Sequence, residues 1–199
     1  NYTVSVMRKI KNIVMVIFCL AHHCVHADGE MLDLLVPSIT VSEGSSISYT
    51  DIESLLADRY FDDAITSAEE IVENNNFLKT TKPIAYGKLA TNLAIVLGHA
   101  GQYEDSLAIS EKALAHLESS VPQFSPELVN VILARSYILI TMEKLDEARQ
   151  ELRRAQHITH RDDGVFTVSQ LPIIEKLFEI SARTGDYLNA DKQKLFTLQ

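Results

Sequence analysis

The residues best suited to chemistry are grouped in His157-Ile158-Thr159-His160-Arg161-Asp162-Asp163-Gly164. On a helix His157 and His160 would share a face at three-residue spacing, and with Asp163 they could ligate a divalent metal or move a proton. The pattern lacks the glutamate of a zincin helix and the Asp-x-Asp-x-Asp of a calcium loop. A helix end explains the same residues: His and Arg suit the negative end of the helix dipole, and Asp-Asp-Gly breaks the chain. Elsewhere His99 follows Gly98 and His116 falls on a polar face. No carboxylate pair stands out as hydrolytic, and there is no P-loop, Gly-x-Gly-x-x-Gly or Gly-x-Ser-x-Gly. The expectation is a protein that is not an enzyme and that uses no metal and no cofactor.

The elements that would position any functional group are set by an internal repeat. Phe61-Asp62-Asp63-Ala64, Tyr103-Glu104-Asp105-Ser106, Leu145-Asp146-Glu147-Ala148 and Tyr187-Leu188-Asn189-Ala190 each begin 42 residues after the one before. Each is a large apolar or aromatic residue, two polar residues and a small one. Apolar residues around them recur at three- and four-residue intervals, the period of an amphipathic helix. The unit is helix, short turn, helix, then a loop of variable length. A pair of helices with one apolar face each cannot bury those faces alone, and stacking successive pairs makes a continuous core. Ala64, Ser106, Ala148 and Ala190 would then sit where helices approach closely.

In chain order, residues 28–49 are short, Ser- and Gly-containing and aperiodic, which predicts a flexible or loosely docked lead-in. Thr50-Asp51-Ile52-Glu53 has the form of a capping box opening a first helix to about Asp58. A helix from Phe61 ends at Asn74-Asn75-Asn76. Pro83 precedes a helix with the core stripe Leu89, Ala90, Leu93, Ala94 and Leu97, which stops at Gly101. Its partner runs from Tyr103 to about Ser119. Ser125 as N-cap and Pro126 at the first helical position open a third pair, Glu127–Thr141 and Leu145 to about Thr159. Pro172 opens a fourth, with Ile173, Ile174, Leu177 and Phe178 as its apolar face. Gly185 turns into a last helix, Tyr187 to Leu198. The helical-repeat domain thus spans 50–199.

Leu89 to Leu107, with Gly98-His99-Ala100-Gly101-Gln102-Tyr103 at its centre and Ala113-Leu114 after it, resembles a tetratricopeptide repeat (TPR). The 42-residue period is similar to the kinesin-light-chain type of that family, whose unit is longer than the usual 34. The resemblance implies an all-α, right-handed helical-repeat solenoid of about four helix pairs. Its first helices would line a concave groove for an extended peptide or a partner helix. Groove-facing positions by this resemblance are Lys88, Asn92 and His99 in the second repeat, Asn130 and Tyr137 in the third, and Glu175, Glu179 and Arg183 in the fourth. Asn92 is foremost, because an amide there can both donate to and accept from a peptide backbone. Arg135 departs from the pattern, standing where Leu is usual, and the fourth repeat ends without a polar capping helix.

At the N-terminus Arg8, Lys9 and Lys11 precede an apolar run from Ile13 to Ala21, and Val25-His26-Ala27 offers a signal-peptidase site. Residues 1–27 read as a secretory signal peptide, the run being about half the length that spans a membrane. Both cysteines, Cys19 and Cys24, fall within it, so the remainder has no thiol. These residues hold three of the chain's 18 Lys and Arg and none of its 27 Asp and Glu, so cleavage would leave a formal charge of −12. That charge argues against nucleic acid as a partner. With no glycosylation sequon after residue 27, the expectation is an exported bacterial, periplasmic scaffold with no stable membrane insertion after cleavage. It would bind a protein or peptide. The alternative is a structural homo-oligomer stacking through its last repeat.

Overall fold

The computed structural model describes residues 31–164 and 167–186. The expected signal peptide, the last helix from Tyr187 and the small residue Ala190 lie outside the described residues. Among the described residues a β-hairpin, β1 (Ser38–Ser42) and β2 (Ser45–Ser48), is followed by eight α-helices. These are α1 (Thr50–Ala57), α2 (Phe61–Asn74), the single turn α3 (Leu78–Thr81), α4 (Pro83–His99), α5 (Tyr103–Glu118), α6 (Val129–Thr141), α7 (Leu145–Asp162) and α8 (Leu171–Arg183). The architecture is an all-α helical repeat. Helices pair as α1 with α2, α4 with α5 and α6 with α7, and α8 stands against α7. The first helices α4 and α6 also lie side by side, as stacking of pairs requires.

A backbone feature repeats with the sequence. Arg59, Gly101, Glu143 and Gly185, each 42 residues from the next, all have positive φ, at 65°, 85°, 60° and 74°. One residue later the amides of Tyr60, Gln102, Lys144 and Asp186 donate back to the carbonyls of Leu55, Leu97, Leu139 and Ser181. The turn residues themselves donate to Leu56, Gly98, Ile140 and Ala182. This is the Schellman closure, in which a left-handed residue lets two amides satisfy the last carbonyls of a helix. Glycine takes that conformation without steric cost and supplies it twice; Arg59 and Glu143 adopt it against their Cβ. The carbonyls of Tyr60, Gln102 and Lys144 then accept from Ala64, Ser106 and Ala148, starting the next helix.

Ala64, Ser106 and Ala148 are all fully buried, as their place in the repeat predicts. The Ser106 hydroxyl donates to the Ala94 carbonyl across the pair. Helices of a pair also come close at Gly87, where an added Cβ would lie 2.4 Å from Leu117 Cδ2. Ser125 caps the 3₁₀ turn Pro126–Leu128 that leads into α6, its hydroxyl accepting from the Glu127 amide. Arg135 is carried by a mostly buried ion pair with Glu151 of α7, Nε to Oε1 at 3.2 Å.

Three expectations are corrected. Residues 38–48 are not a loose lead-in: they form the hairpin, and Ile39 and Tyr49 are core residues at 2% and 0% exposure. The capping box at Thr50 does not form, because Thr50 is already helical and the Ser48 hydroxyl accepts its amide. On α8, Ile180 is buried where Phe178 is partly exposed.

Since Ala148 has no exposed surface, Ala148→Phe should overpack the α6–α7 contact and destabilise by about 1 to 3 kcal/mol. A chemical-denaturation midpoint unchanged from the parent would refute the close-approach assignment.

Candidate functional site

Asn92 lies midway along α4, whose sequence is apolar nearly all round: Leu89, Ile95 and Val96 are all fully buried, on more than one face. A helix apolar on every side must be covered on every side. Three sides of α4 meet α2, α5 and α6. The remaining side is covered by the chain's own residues 31–40. Met31 packs at Gly98, where an added Cβ would lie 2.8 Å from its Sδ. Val36 meets Asn92, and Val36, Ile39 and Thr40 share a cleft of about 470 Å³ with Ala85 and Lys88. The segment therefore runs antiparallel to α4 from one end to the other.

The polar contacts are specific. Asn92 is completely buried, and its amide grips Val36 twice: Val36 N donates to Oδ1 at 3.0 Å and Nδ2 donates to the Val36 carbonyl at 2.9 Å. Asn130 on α6 donates Nδ2 to the Leu34 carbonyl at 2.9 Å. Leu34 and Leu35 close a helical turn on Met31 and Leu32, so Asn130 satisfies a carbonyl such a turn leaves open. Met31 and Leu35 are buried beside these bonds, each side chain contributing about 1.5 to 3 kcal/mol by burial. Both amides thus hold a chain by its backbone, and that chain is this protein's own. Asn92 is not open to a partner while residues 31–36 lie on it.

The Tyr49 ring closes the site from behind. Burial pushes its phenol well above the ordinary value, with only a smaller opposing pull from Asn92. Its hydroxyl has no hydrogen bond of normal geometry.

The other expected positions form two further groups. Lys88, at the N-terminal half of α4, pairs with Glu127 at 2.8 Å. His99, eleven residues on and about 16 Å away along the helix, meets the Phe61 ring edge-on at 6.0 Å. The third and fourth repeats contribute a connected polar strip. Tyr137 is nearly buried beneath Lys176, whose Nζ stands 4.9 Å from the ring centroid. Lys176 reaches Glu179 at 3.0 Å; Arg183 bridges Glu179 at 3.0 Å and Glu143 at 2.6 Å. Burial alone would raise the Glu179 carboxyl, but the hydrogen bonds and charges of Lys176 and Arg183 outweigh it and hold it below the ordinary range. Glu175 is exposed. The structure adds Leu34, Val36, Glu143 and Lys176 to the expected set.

The histidine cluster stays dispersed. His157 packs edge-on against Phe124 at 5.3 Å, and Asp163 accepts from the Ser169 hydroxyl. Among the described residues no three His, Cys, Asp or Glu side chains are grouped to hold a metal ion, and no helix is long and apolar enough to cross a membrane.

Two stability predictions arise from the buried polar groups. Asn92→Ala would strand the Val36 amide and carbonyl, so it should cost about 2 to 4 kcal/mol and speed hydrogen exchange at Val36. An Asn92 facing open solvent would be removable without loss. Tyr49→Phe deletes an unbonded hydroxyl and should be neutral or stabilising near pH 7. The raised phenol makes the parent's stability fall as pH climbs past about 10, its unfolded-state value. Denaturation curves for the Phe variant should lack that alkaline fall.

The comparisons with known proteins bear on the fold. No protein-family model and no curated protein sequence matches the chain. In structure it is similar to BtubC (BKLC) from P. vanneervenii, a bacterial kinesin-light-chain-like, TPR-like protein. The TM-score is 0.68 at 16% identity, over 74% of this chain and 58% of that one. The chain spans less than two thirds of that protein's length, and at this identity the likeness shows the helical-repeat fold alone.

Proposed function

We infer that the protein is a non-enzymatic scaffold that holds a chain of another protein along the inner faces of its first helices. The supporting observation is the pair of asparagine amides that already hold a stretch of backbone there, at Leu34 and Val36. Because residues 31–36 fill the α4 portion, the surface left for a partner is the strip beside α6 and α8 where Glu143, Glu175 and Arg183 are exposed and Glu179 is half-buried, over the buried Tyr137 and Lys176. This strip holds both charge signs. A partner segment would exchange ion pairs with Glu143, Glu179 and Arg183. Reading residues 1–27 as an export signal, on the sequence alone, would put this activity in a bacterial periplasm.

Charge reversal at the strip tests the proposal. Glu175→Lys with Arg183→Glu should abolish co-purification of a partner from the source cell envelope. The same double variant should leave stability within about 2 kcal/mol, since Arg183 makes two ion pairs of at most about 1 kcal/mol each. Undiminished recovery of the same partner would refute this surface.

A further inference from the structure

A second cavity, of about 300 Å³, opens between the first and second helix pairs. Its floor is apolar: Val72 of α2, Ala90 and Leu93 of α4, and Ile109 and Ala113 of α5. The polar groups lining it are Lys79, Tyr86, Lys112 and His116, and no carboxylate lines it. In a chain with 27 acidic and 18 basic residues, a cavity walled by two lysines and a histidine has a local sign opposite to that of the whole. Tyr86 orders this wall, with Lys79 Nζ 5.0 Å from its ring centroid and the His116 ring edge-on at 5.2 Å. His116 Nε2 is out of water and has no hydrogen-bond partner. A buried polar atom left unpaired costs about 1 to 3 kcal/mol, and a bound group offering it a hydrogen bond would recover that. Ligand sites commonly combine an apolar floor with a few convergent polar groups.

We propose that this cavity binds a small amphipathic anion, with its apolar body on Leu93, Ile109 and Ala113 and its carboxylate or sulfonate head at Lys79, Lys112 and His116. The site lies apart from the strip assigned to a protein partner and does not depend on that assignment. Lys79 and Lys112 are exposed at the mouth, so they supply charge attraction. His116 supplies the hydrogen bond at the rim of the floor.

Octanoate is a suitable probe, with octanol and octylamine as neutral and cationic controls, followed by amide chemical shifts of the full chain. Octanoate should shift Val72, Ile109, Lys112 and Ala113 saturably, and neither control should do so at equal concentration. Lys112→Glu and Lys79→Glu, both at exposed positions, should each weaken octanoate about tenfold, the equivalent of 1.4 kcal/mol. His116→Phe keeps the ring contact with Tyr86 and should weaken it severalfold. Ala113→Leu should block the floor; if that variant does not fold, the two lysine reversals carry the test. Absence of a saturable shift at these residues, equal binding of octanol, or unchanged affinity in Lys112→Glu would overturn the proposal.

Discussion

The chain reversal at residues 59, 101, 143 and 185 is the constraint on which the rest of the structure depends. A helix of this length must leave its last carbonyls unsatisfied, and here one left-handed residue closes them with two amides, while after residues 59, 101 and 143 its neighbour's carbonyl starts the next helix. The turn therefore fixes the position of the small residue that follows, Ala64, Ser106 or Ala148, directly against the preceding helix. Close approach at that point is possible only because the turn delivers a small side chain there each time. A one-residue slip would bring Asp63, Asp105 or Glu147 to the same contact and bury a charge. The register of the core is thus a consequence of backbone geometry at one position per repeat.

The same helices illustrate how burial decides function. α4 and α6 are apolar on several sides and carry few charges, whereas α7 is polar over most of its surface and buries only Ala148, Leu152, Ala155, Ile158 and Thr159. A first helix packed between neighbours on both sides has only its inner face left, and on α4 even that face is apolar apart from Asn92 and, nearer its start, Lys88. Water cannot be left against that face without cost, so the segment 31–40 covers it, with Met31 at Gly98 and Val36 at Asn92, and Asn92 satisfies the backbone that the covering brings in. Asparagine suits this because one amide offers an acceptor and a donor at the spacing of a residue's own N–H and C=O. Hydrophobic demand explains why a segment lies there; the amide explains why it lies in one register.

The repeat, its period and its helix boundaries were legible because they rest on local rules: apolar spacing, Pro at helix starts, Gly or Asn at helix ends. The left-handed turns at Arg59 and Glu143 were hidden, since neither residue type advertises positive φ; only their distance of 42 from Gly101 and Gly185 does. The lead-in was misread for a related reason. Ser38–Ser48 has weak alternation, and its order comes from long-range contacts of Ile39 and Tyr49 with helices later in the chain, which no local pattern records. At the site, the expectation places Asn92 in a groove, against the backbone of a partner peptide; in the structure its amide is taken up by the chain's own Val36. That the backbone belonged to residue 36 was foreshadowed only by the apolar character of α4 on nearly every side, which required a cover.

The inner surface is consequently divided into two physically different halves. Along α4 the contacts are buried, mostly apolar and closed by hydrogen bonds to the chain's own backbone, so exchange of that segment for a foreign one would expose Met31, Leu35 and Ile39 together. Along α6 and α8 the contacts are ion pairs at the surface, where Arg183 is shared between Glu143 and Glu179. Exposed pairs of this kind contribute at most about 1 kcal/mol each, so an incoming carboxylate or ammonium can replace one partner at little cost. Tyr137 beneath Lys176 gives that half a rigid floor. Exchange of ion-pair partners is therefore energetically easy at the α6–α8 strip and costly at α4, and this difference, not the identity of any single residue, is why the proposed partner surface falls on the strip.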